Sequence, residues 1–237
     1  MLKAILLDEI RFLTFQSVSS DVHQQWRRYL VFGLLFAWLA GIGRYWDNPR
    51  ADLWQYLGLG SVIYVFVLSG IIYALVAPLR PANWSYRNVL VFVSLTSPPA
   101  ILYAIPVERF LSIDVAIAAN GWFLAVVAAW RVALLVRFLR VVGRMSYSSV
   151  LVGTMLPLTL IVITLSMLNL EHVVFELMSG ISPDDRSPND AAFGIVVGLS
   201  FYSFLLAPVL ATGYFLLALK RWHENKQAKS GGDADIS

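Results

Sequence analysis

His172 and Glu176 stand four positions apart, so on a helix an imidazole and a carboxylate share one side and can exchange a proton or supply part of a metal shell. Zinc asks for about four donors, or three and a water. Glu108, Asp114 or Asp190 would have to fold alongside to complete such a set. Glu108, Glu171, His172 and Glu176 are therefore a candidate outer-surface polar site, with a metal-dependent enzyme as its extreme version. The competing description is a solvated helix face: Glu171, His172, Phe175, Glu176 and Ser179 fall on one side, and Leu170, Val173, Val174, Leu177, Met178 and Ile181 on the other. Asn120 and Arg131 form a second candidate, because their spacing returns them to one face of a 3.6-residue helix. A polar face within lipid turns toward a bundle interior or a water-filled cavity, which makes the pair a candidate path for an anion or a lipid headgroup. Alternatively, Arg131 lies close enough to Arg137 to snorkel to the nearer interface.

Other chemistry is absent from the sequence. There are 0 cysteines, hence no disulfide, thiolate ligand or cysteine nucleophile. Neither a Walker A loop, a Gly-x-Ser-x-Gly elbow nor a His-Glu-x-x-His pair occurs. The sequence predicts no cofactor and no catalytic residue.

The elements that must position these residues are membrane spans. Of 237 residues 58% are hydrophobic and only 14% charged, with mean hydropathy +0.68, too apolar for a chain that keeps a wetted surface. A bilayer core about 30 Å thick needs roughly 20 apolar residues per helix. Segments 29–46, 53–77, 88–107, 115–139, 149–170 and 191–219 meet that need. The predicted fold is all-α, a polytopic bundle of six transmembrane helices, or five if the first, crowded by Arg28 and Arg44, is not a span. Residues 1–28 form a leader and 220–237 a polar tail ending in Ser230-Gly231-Gly232-Asp233, whose composition predicts disorder. Leu2, Leu6, Ile10 and Leu13 give the leader an interfacial helical face that Glu9 interrupts. Asp8, Glu9 and Asp21 set it apart from the basic start of a cleavable signal.

Basic residues fall in alternate gaps. Lys3, Arg11, Arg27, Arg28, Arg80, Arg87, Arg137, Arg140, Arg144, Lys220, Arg221, Lys226 and Lys229 collect on one side, against Arg44, Arg50, Arg109 and Arg186 on the other. The positive-inside rule then puts both termini in the cytoplasm. The net charge of +3 reports this threading rather than nucleic-acid binding. Arg137, Arg140 and Arg144 are spaced to rest on anionic headgroups, and the partners expected are membrane lipids, other membrane proteins or a second copy of the chain. Ala125, Ala129 and Ala133 form a small-residue stripe suited to close helix approach. Pro98, Pro99, Pro157 and Pro208 interrupt spans at similar depth, either as hinges or as ordinary kinks, and the carbonyls they free look for donors such as the hydroxyls of Ser94, Thr96, Thr154 or Ser203.

In the middle of the chain, Ser85-Tyr86-Arg87-Asn88 enters a span, Thr96-Ser97-Pro98-Pro99 breaks it and Ile105-Pro106 closes it. Trp122 and Trp130-Arg131-Val132-Ala133-Leu134 follow, then Arg140-Val141-Val142 leads into a helix at Ser148. Over residues 80–160 this succession resembles the bacterial Yip1-type membrane proteins. The resemblance implies a bundle of about five spans in the bacterial inner membrane with a cytoplasmic amino terminus. Eukaryotic relatives engage small GTPases in vesicle trafficking. This chain has no Asp-Leu-Tyr-Gly-Pro motif and no large amino-terminal domain, so GTPase binding is not implied. Two functions are expected: a non-enzymatic organiser or partner-binding protein of the membrane, or a small-solute or lipid permease using Asn120, Arg131 and the kinked midplane.

Overall fold

A computed structural model describes residues 2–19, 21–43, 53, 57–167 and 190–232, and among these it holds helices and no strand. The order is α1 (Leu2–Leu13), α2 (Asp21–Gln24), α3 (Trp26–Gly43), α4 (Leu59–Val76) with a 3₁₀ turn Ala77–Leu79, α5 (Tyr86–Leu95), a 3₁₀ segment Pro98–Ala104, a turn Val107–Arg109, α6 (Ile113–Val141), α7 (Tyr147–Met167) and α8 (Asp190–Gly232).

Four stretches of these helices are long and apolar enough to cross a bilayer: Leu59–Leu79, Val115–Val141, Tyr147–Thr164 and Gly198–Glu224. The other two predicted spans take different forms. The first corresponds to α3, whose opening turn carries Arg27 and Arg28. The third is not one helix, because α5 stops at Leu95 and the chain continues from Pro98 to Ala104 as 3₁₀. Pro98 and Pro99 donate no backbone hydrogen bond, so the α-ladder cannot run through them. Pro157 is fully buried and stays within a continuous α7, and the exposed Pro208 within a continuous α8. At the carboxyl end α8 runs on to Gly232, through polar residues whose composition alone predicts disorder.

Close approach fixes the packing of α3. A Cβ on Gly33 would lie 2.5 Å from the carbonyl carbon of Ser94, so α3 and α5 cross backbone to backbone there. One on Gly41 would lie 2.9 Å from the Cα of Gly58, whose positive φ of 65° opens α4. Gly33, Ala37 and Gly41 recur every four positions, the small-residue spacing that lets membrane helices gain van der Waals contact where lipid supplies no hydrophobic drive. The alanine stripe predicted on α6 behaves differently: Ala125, Ala129 and Ala133 are exposed on the outer side of the described bundle.

Every residue from Val89 to Leu95 in α5 is buried, as expected of a helix apolar all round and enclosed by its neighbours. Val76, Leu79, Val89, Leu134 and Leu139 join it in the main core. Ser85 caps α5 by accepting from the Asn88 N–H at 3.2 Å. At the same end Ala82 N donates to the Gly143 carbonyl at 2.8 Å, tying the α4–α5 and α6–α7 loops together. Arg80, Arg87, Arg140 and Arg144 lie in or beside these loops, which form a basic edge of the bundle.

Helix α1 does not cross the bundle, since its 12 residues span about 18 Å. Its inner face is Ile5, Asp8, Glu9 and Phe12, whereas Leu2, Leu6, Leu7 and Ile10 point outward at 41–62% exposure. The predicted leucine face is present, but the acids turn toward protein and the leucines away from it.

Candidate functional site

A cleft of about 430 Å³ opens at the basic edge between the α1–α2 loop, α3, α5 and α6. Its deep wall is Phe12, Val91, Phe92, Leu95, Leu134 and Phe138. Phe92 and Phe138 stack with centroids 4.2 Å apart, and Phe12 meets Phe92 edge-on at 5.9 Å. Gln16, Ser17, Ser19, His23, Asn88 and Arg137 supply the polar part of the lining, with no carboxylate among the described residues there. From Val142 to Leu134 the α6 wall descends about 12 Å.

Asp8 holds the loop that closes this cleft. Its carboxylate accepts from Tyr29 OH at 2.6 Å and Ser19 Oγ at 2.7 Å, and Arg11 approaches to 3.6 Å. Burial pushes the Asp8 carboxyl up, but the bonds from Tyr29 and Ser19, with Arg11, outweigh it and hold it below its ordinary range. The neighbouring Glu9 is the opposite case. Both its oxygens are buried without a hydrogen-bond partner, and burial raises its pKa to about 8. Glu9 is thus a neutral acid at pH 7, a state that avoids the much larger cost of a bare buried charge. In the sequence Glu9 is only a flaw in an apolar face. Its spacing from Ile5 and Phe12, on the face opposite Leu2, Leu6 and Ile10, was the available signal.

The arginines predicted to face lipid part company. Arg140 donates to the Met145 carbonyl at 2.6 Å and lies 3.8 Å from the centroid of the Tyr147 ring, so it holds the α6–α7 turn. Arg144 is exposed, with φ 48°. Arg137 lines the cleft and makes no hydrogen bond or ion pair among the described residues. No family model, curated protein or solved structure matches this chain.

Arg131 has a definite task. Its Nε–H donates to the Thr96 carbonyl at 3.1 Å, at the break made by Pro98 and Pro99. Thr96 would otherwise bond to position 99, a proline, or to Ala100, whose N–H goes to Ser97 at 2.9 Å. The guanidinium therefore serves one of the carbonyls that the sequence leaves over. Hydroxyls expected in that role bond elsewhere: Ser94 to the Val91 carbonyl at 2.8 Å, Thr96 to that of Val93 at 2.7 Å, and buried Thr154 Oγ1 to nothing among the described residues. Asn120 is half-buried on the far half of α6. Neither it nor Arg131 lines the cleft, or the second hollow of about 470 Å³ between α1, Pro98, Pro99 and α6.

Of the outer-surface set, Glu171, His172 and Glu176 lie outside the described residues, and Glu108 falls in the turn Val107–Arg109. Among the described residues no three metal-ligating side chains gather.

Proposed function

We propose that this chain is a six-crossing protein of the bacterial inner membrane, related to the Yip1-type proteins, with both termini in the cytoplasm, and that it organises membrane components by binding rather than by catalysis or conduction. Its four long apolar helices support the membrane setting. In this reading α3 and the broken α5 segment are the remaining crossings, and the basic edge faces the cytoplasm. The exposed leucines and buried acids of α1 fit the same setting, because outward leucines are favourable only where the surroundings are apolar.

The observation that favours binding over permeation is the Arg131 bond to Thr96. A permease using Asn120 and Arg131 needs a guanidinium able to swing toward a passing anion, whereas here its Nε–H is tied to the backbone of a broken helix. The test is to isolate the intact chain in patches of its own membrane and identify what accompanies it. A stoichiometric protein or lipid is expected. A stoichiometric small solute, together with maleimide labelling of Asn120→Cys from the aqueous phase, would overturn the reading in favour of transport.

A further inference from the structure

The cleft at the basic edge combines features that together select one class of ligand. Its depth is apolar, walled by Phe12, Leu95 and Leu134, and its volume of about 430 Å³ falls within the roughly 300–1,000 Å³ range of ligand cavities. Among the described residues its lining includes one guanidinium, that of Arg137, which is half-buried and unpaired, with His23 and Asn88 also present and no carboxylate. Other arginines near this edge are engaged: Arg140 with Met145 and Tyr147, Arg27 and Arg87 over the Trp26 ring at 5.5 and 5.8 Å. A cation left without a counter-charge beside an apolar slot is complementary to an anionic head carrying a hydrocarbon chain. Within a bilayer, the molecule of that chemistry at this depth is a phospholipid of the adjoining leaflet.

We infer that this cleft seats one anionic phospholipid, an acyl chain lying between the α1–α2 loop, α5 and α6 and the phosphate held by Arg137. Asp8 contributes by fixing Ser19, and with it the loop that walls the cleft. This inference rests on the membrane reading above but can fail separately from it.

The test uses the full chain in nanodiscs of equal dioleoyl phosphatidylglycerol and dioleoyl phosphatidylcholine, then release into mild detergent and native mass spectrometry. One phosphatidylglycerol per chain is expected, retained in preference to phosphatidylcholine. Arg137→Ala should lower that retention about fivefold, the value of one basic side chain near a charged surface. Arg137→Lys should restore part of it, and Arg144→Ala, the same charge change at an exposed site of the same edge and outside the cleft, should lower it by less. Should Arg137→Ala fold poorly, Trp26, which lines the cleft, supplies a second readout that leaves Arg137 in place. Dibrominated phosphatidylglycerol should quench the fluorescence lost in Trp26→Phe more than dibrominated phosphatidylcholine does. Equal retention of both lipids, equal effects of Arg137→Ala and Arg144→Ala, or preferential retention of added oleate would each overturn the inference. A chain that does not enter nanodiscs at all would instead refute the membrane reading.

Discussion

Asp8 and Glu9 are adjacent, equally buried and oppositely poised. Glu9 has no hydrogen-bond donor, so the folded protein favours its neutral form and raises its pKa from 4.5 to about 8. Stability from this group is therefore fully present below about pH 4.5 and lost as pH rises toward 8. Asp8 is lowered, so its contribution is present above its ordinary 3.8 and lost only in stronger acid, outside that window. Glu9→Gln should consequently leave the melting temperature in detergent nearly unchanged at pH 4.5 and raise it increasingly between pH 6 and 8. A variant with the same pH profile as the parent would show that Glu9 is ionised and solvated. Arg131 makes a second prediction at this scale. Arg131→Met keeps the bulk but leaves the Thr96 carbonyl without its donor, and should destabilise the fold by about 1–3 kcal/mol in reversible detergent unfolding. No loss would mean that the carbonyl finds water, as a polar conduit would allow.

Among the elements, α3 has the tightest tolerance. With its Cβ 2.5 Å from Ser94 backbone, Gly33→Ala cannot be absorbed by a side-chain shift and should cost about 1–3 kcal/mol. Gly70→Ala, with nothing within 4 Å, should be neutral or slightly stabilising by the same measurement. The long apolar runs of α4, α6, α7 and α8 were legible in the sequence because length and hydropathy alone define such a helix. Which face each one packs was not. Small residues mark a seam only when a partner lies opposite, and Ala125, Ala129 and Ala133 have the same spacing as Gly33, Ala37 and Gly41 yet face outward. The proline break in α5 was also legible, since Pro98 and Pro99 remove two donors in succession. Its repair by an arginine some 35 positions later was not, because the pairing depends on how α5 and α6 are set side by side. The cleft was invisible for the same reason: Phe12, Leu95, Leu134 and Arg137 come from three separate segments.

For the molecule as a whole, the proposed threading has helices of alternating direction sort lysine and arginine across a lipid bilayer. Helix α6, at 29 residues, measures about 43 Å and exceeds the hydrocarbon thickness, so residues just beyond its two ends should lie in opposite aqueous phases. Phe110 precedes it and Tyr147 follows it, at 78% and 79% exposure. The chain has 0 cysteines, so a single introduced thiol reports without background. The decisive measurement is labelling of Phe110→Cys and Tyr147→Cys by a membrane-impermeant maleimide in sealed right-side-out vesicles and in inverted ones. In the proposed threading Phe110→Cys reacts only in the first and Tyr147→Cys only in the second. Reaction of both from the same side would contradict it.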